Sequence, residues 1–180
     1  TVVQQLLAIN YRFYQSFGPA FAATRRRIQP GVRRILDGLP AAGNWLDLGC
    51  GPGALAVEWA GSGRTGLYVG LDFSVELLAE ARSLTGSLPD SGLEIRYAIA
   101  DLGDPAWADP LQGQHWDGIL AFATLHHIPS AETRLKLLRQ VRALLPTGGQ
   151  FIHSEWQFQH SPKLMARRQP WQAAALREED

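Results

Sequence analysis

Three aspartates, a run of alternating glycines and a pair of histidines hold most of the chemistry this chain could perform. Asp47 precedes Gly49-Cys50-Gly51-Pro52-Gly53. Asp72 stands about where an acid receives ribose hydroxyls, roughly 20 residues past such a loop. A carboxylate accepts two hydroxyl donors at once, so one acid there can fix a sugar. Phe73 beside it offers an apolar or stacking face to a purine. Asp101 with the Leu102 backbone can bind an exocyclic amine and a ring nitrogen. Each acid alone is equally readable as a helix or turn cap; three at successive strand ends are much less so. His126 and His127 can act as a base toward a hydroxyl or amine. The structural alternative has one lining a pocket and the other packed behind it.

The elements that must position these groups follow from the apolar pattern. Asn44 to Leu48 reads as a buried strand, and Ala54 to Ala60 has helical spacing. Strand, glycine turn and helix start form a nucleotide-binding first crossover. The free N–H groups at the helix start face the ligand. Asp47 adds a fixed negative charge, which suits a cationic group better than a phosphate.

Residues 2 to 17 place Val2, Leu6, Leu7, Ile9, Phe13 and Phe17 at three- and four-residue steps, a helix that Gly18-Pro19 ends. A second helix starts at Pro30 and feeds Val32, Ile35, Leu36 and Leu39 into the core. Leu67 to Leu71 is a second strand ending at Asp72, and Ser74 caps a helix over Val75 to Leu84. Leu93 to Ala100 is a third strand ending at Asp101, and 105–115 is irregular. Trp116 to Phe122 is a fourth strand, leading to Ala123-Thr124-Leu125-His126-His127. Ser130 caps a helix with an apolar stripe of Leu135, Leu138, Val141, Leu144 and Leu145. Gln150 to Trp156 is a fifth strand. No strand follows; residues 161–180 read as a short helix broken by Pro170 and a second helical piece. The fold class is therefore α/β, a Rossmann-like parallel sheet with right-handed crossovers and helices on both faces. Ligands of such sheets bind beyond the carboxyl ends of the strands. The segments are an N-terminal helical lid or substrate segment (1–43), a core (44–156) and a helical extension (157–180).

At 180 residues and 46% hydrophobic, the chain can bury one core. Zero formal net charge excludes a global field toward nucleic acid or membrane. The charge is nevertheless segregated, with six arginines against one aspartate in residues 1–40. The cluster Arg25, Arg26, Arg27, Arg33 and Arg34 is either a solvated lid face or a surface for an anionic substrate. The single cysteine excludes a disulfide framework and any multi-cysteine metal site, and Cys50 reads as a small turn residue. No apolar run approaches the roughly 20 residues of a membrane span. Without a signal-peptide pattern, the expected setting is cytoplasmic. The missing initiator Met and the uncapped end Arg177-Glu178-Glu179-Asp180 suggest a piece of a longer protein.

Asp47-Leu48-Gly49-Cys50-Gly51-Pro52-Gly53, Gly70-Leu71-Asp72-Phe73-Ser74, Ala100-Asp101-Leu102, Trp116-Asp117-Gly118-Ile119 and Leu144-Leu145-Pro146-Thr147-Gly148-Gly149 occur in that order. Together they resemble the successive motifs of class I S-adenosylmethionine-dependent methyltransferases, over roughly residues 44–156. The resemblance implies that Asp47, Gly49, Gly51 and Gly53 lie against the methionine part of S-adenosylmethionine. It implies that Asp72 binds the ribose with Phe73 beside it, and that Asp101 and Leu102 bind the adenine. Phe122 is expected at the end of the fourth strand on the same site. No metal is expected. NAD is the competing ligand, disfavoured by the acid before Gly-x-Gly-x-Gly and by the second acid at Asp101. The family's sheet usually continues with an antiparallel pair after the fifth strand, and this sequence departs from that.

The segment from Phe13 to Arg25, followed by Pro30, is similar to the N-terminal part of the tRNA wobble-uridine carboxymethyl methyltransferases. Leu125-His126-His127-Ile128, Gly148 to Trp156 and Gln159 also resemble that group. The resemblance carries over Tyr14 and Arg25 as contacts to cofactor or acceptor, with His126, His127 and Arg25 as candidate catalytic residues. A carboxylate acceptor is already ionised near pH 7 and needs no base. The basic segment Arg25–Arg34 then suits a tRNA backbone. A small-molecule acceptor methylated at oxygen or nitrogen is the alternative, since several bacterial small-molecule methyltransferases share a Tyr-rich entry helix and a His-His pair. Trp156 either stacks on a base or covers the core. A cofactor-binding subunit that works with a small activating partner also stays open. No membrane partner is expected.

Overall fold

The computed structural model describes residues 1–24 and 27–177. Five parallel strands form its centre: β1 (Ala42–Leu48), β2 (Thr65–Asp72), β3 (Leu93–Ile99), β4 (Gly118–Phe122) and β5 (Gln150–Ser154), in the order β3-β2-β1-β4-β5. The helices are α1 (Val2–Thr24), α2 (Pro30–Asp37), α3 (Ala54–Gly61), α4 (Val75–Gly86), α5 (Ala131–Leu144) and the one-turn α6 (Pro162–Met165). The order reverses direction at β1, so β1 and β4 leave a crevice at their carboxyl ends.

The period of two along a strand sorts β1 between two cores. Leu46 and Leu48 join Val69, Leu71, Ile119 and the α5 residues Leu137, Val141 and Leu144 on one face. Trp45 joins Tyr68, Leu120, Leu36 and the α3 residues Leu55, Ala56 and Trp59 on the other. Asp47 shares the parity of Trp45 and is buried on that second face, against Tyr68. Helix α2 packs into this same core, so among the described residues of 1–43 it is α1 that lies over the crevice.

Arg64 pins α2. Its buried guanidinium donates to the carbonyls of Leu36, Leu39 and Pro40 and lies 4.9 Å above the Trp59 ring. A cation facing the free carbonyls at a helix C-terminus is favoured by the helix dipole, and the aromatic face adds a cation–π contact.

Several boundaries differ from the pattern-based expectation. Helix α1 runs through Gly18-Pro19 to Thr24. An interior proline removes one donor and crowds the carbonyl four residues back, yet the helical path continues through it. On α5 the buried stripe is Leu137, Val141 and Leu144, whereas Leu135 and Leu138 are exposed. Both sets satisfy three- and four-residue spacing, and only the angle at which the helix meets the sheet separates them. β5 stops at Ser154, which places Glu155 and Trp156 past the strand end. Among the described residues no strand follows β5; 3-10 turns at Phe158–His160 and Trp171–Ala174 flank α6.

Candidate active site

A cavity of about 540 Å³ opens at the carboxyl ends of β1, β2 and β4, beneath α1. Its floor is the loop after β1. Gly49 has φ 72°, and a Cβ there would come within 2.5 Å of Thr124 Oγ1. The Thr124 hydroxyl donates to Leu48 O at 2.9 Å, locking the β4 exit onto the loop. Gly49 and Cys50 donate their N–H groups to Leu71 O at 2.8 and 2.9 Å. Cys50 is buried, and that burial pushes its thiol well above the usual range, so it is a packing group rather than a nucleophile.

Asp72 closes the donor side of the cavity. Its Oδ2 accepts from Gly51 N and its Oδ1 from Ser74 N, both at 2.9 Å. Burial raises its pKa, while the N–H groups of Ser74, Gly51 and Phe73 pull it back. Each oxygen keeps a second lone pair for a ligand hydroxyl. Phe73, Asp101 and Leu102 line the same wall. Asp101 is exposed, and its Oδ1 accepts from Gly103 N at 2.8 Å.

Gly49, Gly51, Phe122 and Tyr14 also border the cavity, as do both histidines. Asp47 and Gly53 do not. Gly53 is the left-handed N-cap residue of α3. Asp47 lies one layer below the loop, accepting from Tyr68 OH at 2.5 Å. Burial pushes its pKa up to about 7 against the opposing effect of the tyrosine hydrogen bond, with Asp72 adding a further rise.

The opposite wall comes from α1 and the turn after β4. Ala123 adopts φ 54°, a left-handed conformation uncommon outside glycine, and its N–H reaches Ser154 O and Oγ at 3.0 and 3.1 Å. The 3-10 turn Leu125–His127 follows. Asn10 Nδ2 donates to His127 O at 2.8 Å, and Tyr14 OH pairs with His127 Nε2 at 3.1 Å. Burial, reinforced by His126, holds His127 down at about 4, so its ring is neutral at pH 7. His126 Nδ1 lies 3.3 Å from Glu155 Oε2, and its ring stacks on Trp156 at 6.0 Å.

Asn10 and Tyr68 were not among the residues marked by motif, and Glu155 was marked only as part of the Gly148 to Trp156 segment, with no role of its own. Asn10 and Tyr14 are four apart on one helix face, the only sequence signal for their shared target. Arg25 and Arg26 lie outside the described residues. Arg27 and Arg34 are exposed, whereas Arg33 pairs with Glu58 through contacts of 2.8 and 2.9 Å and is withdrawn from the basic cluster. Among the described residues no lysine or arginine lines the cavity. None of them forms a group of three side chains suited to hold a metal ion. No helix among them is long and apolar enough to cross a membrane.

A parallel β3-β2-β1-β4-β5 sheet, a glycine loop after its central strand and an acid ending the next strand define the class I S-adenosylmethionine-dependent methyltransferase fold. The chain belongs to the methyltransferase-domain family, whose profile matches residues 21–179. Over 146 residues it is 27% identical to the tRNA (carboxymethyluridine(34)-5-O)-methyltransferase of Arabidopsis thaliana, matching 81% of this chain and 32% of that protein. The Saccharomyces cerevisiae protein of the same name is 26% identical over 149 residues, covering 81% of this chain and 47% of its own length. The chain thus spans about a third to a half of the length of these curated relatives. In fold it is similar to an S-adenosylmethionine-dependent methyltransferase structure from Methanosarcina mazei, with TM-score 0.63, 20% identity and coverage of 83% and 68% of the two chains.

Proposed function

We propose that this protein transfers a methyl group from S-adenosylmethionine, and that the acceptor is the carboxylate of a carboxymethylated wobble uridine in tRNA. One observation carries the donor: the described cavity wall holds Asp72 and Asp101 and no lysine or arginine. A dinucleotide's diphosphate would find no side-chain counter-charge in that wall. A ligand with an ammonium, a sulfonium, a ribose and an adenine meets acids where it needs acceptors. When bound, S-adenosylmethionine supplies an electrophilic methyl on a cationic sulfur.

The residues then act by placement. Gly49 and Gly51 let the backbone approach an amino-acid tail, and Asp72 accepts from ribose hydroxyls. Phe73 covers the purine, and Asp101 with Leu102 reads its edge. Asp47, below the loop, holds Tyr68 and supports the floor from beneath without meeting the ligand. Tyr14, with His127 and Phe122, shuts water out of the transfer zone. Aligning acceptor oxygen, methyl carbon and sulfur in a dry site is worth several orders of magnitude, and an ionised carboxylate needs no base.

The flanking motifs, the names of the relatives and exposed Arg27 and Arg34 support tRNA as the acceptor. Arginines bind phosphates through charge-assisted, often bidentate contacts, which weaken steeply with salt. Calorimetry tests the donor. Both S-adenosylmethionine and S-adenosylhomocysteine should bind, and Asp72→Ala should weaken them roughly 10–100-fold, the value of one or two hydrogen bonds to a charged group. No binding by either ligand sinks the reading. Methylation of bulk tRNA against a small-molecule panel tests the acceptor. Activity confined to small molecules and indifferent to Arg26→Glu/Arg27→Glu would exclude tRNA. The small-molecule alternative is favoured by one feature, the carboxylate on His126.

A further inference from the structure

The rim of the cavity holds a side-chain unit for which a carboxylate acceptor has no use. His126 sits in the turn after β4, and Glu155 is the first residue beyond β5. Pairing of Phe122 with Ser154 brings the two strand ends side by side. The bond from Ala123 N to Ser154 O fixes their spacing. Glu155 then reaches two histidines, with Oε2 3.3 Å from His126 Nδ1 and Oε1 3.4 Å from His153 Nδ1. The His126 and Glu155 side chains are 26% and 33% exposed, which puts the pair at the solvent edge of the cavity.

A carboxylate only accepts hydrogen bonds, so the proton of a neutral His126 must sit on Nδ1. That leaves a bare lone pair on Nε2, which has no hydrogen-bond partner among the described residues and belongs to a ring that lines the cavity. His127 at 4.3 Å and Trp156 at 6.0 Å brace the ring on both sides. His127 is itself held by Tyr14 and Asn10. A ring oriented by a carboxylate on one nitrogen and open on the other is the arrangement of a general base.

We propose that Glu155 is a positioning residue that holds His126 in the Nδ1–H form, with Nε2 as a proton acceptor at the cavity mouth, and that the site therefore also methylates protic acceptors, hydroxyls or amines. This rests on the methyl-transfer reading above and extends it to a second acceptor class. In the step, the acceptor O–H or N–H proton passes to His126 Nε2. The freed electron pair forms the bond to the methyl carbon, and the carbon–sulfur bond breaks with its pair staying on sulfur. The products are the methylated acceptor, S-adenosylhomocysteine and a protonated His126.

Long-range nitrogen–proton NMR correlations of the imidazoles on the full chain with S-adenosylhomocysteine test the positioning directly, without an acceptor. Each of the five histidines is assigned by single replacement. His126 should be Nδ1–H in the wild type and revert to the Nε2–H form usual in water in Glu155→Ala. Glu155→Gln keeps a carbonyl acceptor and should largely retain the wild-type pattern, and His153→Ala should leave it unchanged. An Nε2–H His126 in the wild type, or an Nδ1–H form that survives Glu155→Ala, overturns the proposal. If S-adenosylhomocysteine moves no cavity resonance, the methyl-transfer reading falls while the tautomer result still stands. In turnover with phenol, alcohol and amine acceptors, His126→Ala should lower kcat by on the order of 10²–10⁴-fold. Glu155→Ala should lower it by about tenfold at unchanged KM. On a carboxylate acceptor, which needs no base, both losses should be at least about tenfold smaller, and equal losses on both acceptor classes would also overturn the proposal.

Discussion

The two ends of the cavity are built by different means. At the donor end, backbone groups hold one another and a buried acid: Gly49 and Cys50 on Leu71, Gly51 and Ser74 on Asp72. At the acceptor end, side chains from distant parts of the chain meet, with Asn10 and Tyr14 on His127 and Glu155 on His126. Backbone contacts tolerate a change of side chain but no change of path. Side-chain contacts can be retuned one residue at a time. A fixed donor floor under an adjustable acceptor wall is what lets one fold serve many acceptors.

Gly49→Ala should produce the largest disturbance. Its φ of 72° and the 2.5 Å approach to Thr124 Oγ1 combine backbone strain with overpacking, a destabilisation of about 3 kcal/mol. Urea unfolding would register it as a lowered midpoint at unchanged slope. A near-wild-type midpoint would mean that the floor yields as easily as the wall.

A pH titration of stability should pull the two ends in opposite directions. His127 is lowered from 6.5 to about 4, so across that window the unfolded chain holds a proton the folded one lacks, and stability falls as pH drops. Asp47 is raised from 3.8 to about 7, so the folded chain holds the extra proton there, and stability falls as pH climbs. Asp47→Asn should remove only the second effect, gaining on the wild type progressively between about 4 and 7. Parallel curves for the two proteins would show that Asp47 does not titrate in that range.

Tyr14→Phe should cost about 1 kcal/mol through the lost bond to His127. It should raise the hydrogen-exchange rate of α1 more than that of β1. Equal change in both would mean that the lid and floor open together. The smallest effect belongs to Arg33→Ala, since the half-exposed pair with Glu58 is worth less than about 1 kcal/mol. Thermal melts should scarcely move, and tRNA affinity should hold because Arg33 is already engaged.

The same contrast explains what could be read from the sequence. Strand ends, glycines and the cap at Ser74 announce themselves because few residue types satisfy those backbone demands. Asp72, Phe73, Asp101 and Leu102 were therefore legible and share one wall. Asp47 was legible as a strand-end acid, but its hydrogen bond to Tyr68 depends on strand parity combined with the β1–β2 register. Glu155 was invisible as a partner because it lies 29 residues from His126 and meets it only through the pairing of β4 with β5. The α5 stripe failed for a related reason: Leu135 and Leu138 fit a helical period as well as Leu137 does, and periodicity carries no docking angle. Helix α1 outran its expected stop because a proline's local cost does not by itself decide where a helix ends.

The fastening of α1 sets an order of events during synthesis. Helix α1 precedes every strand of this sheet in the chain, yet Asn10 waits for a carbonyl 117 residues later and Gln5 for one 169 residues later. Strands β1, β2 and β3 can meet long before either arrives. The helix that precedes the sheet is then seated after it, and until that moment Tyr11, Phe13 and Phe17, about half exposed even in the finished fold, lie on an uncovered apolar face. Transiently uncovered apolar surface of this kind is a handle for a chaperone and a point of aggregation risk.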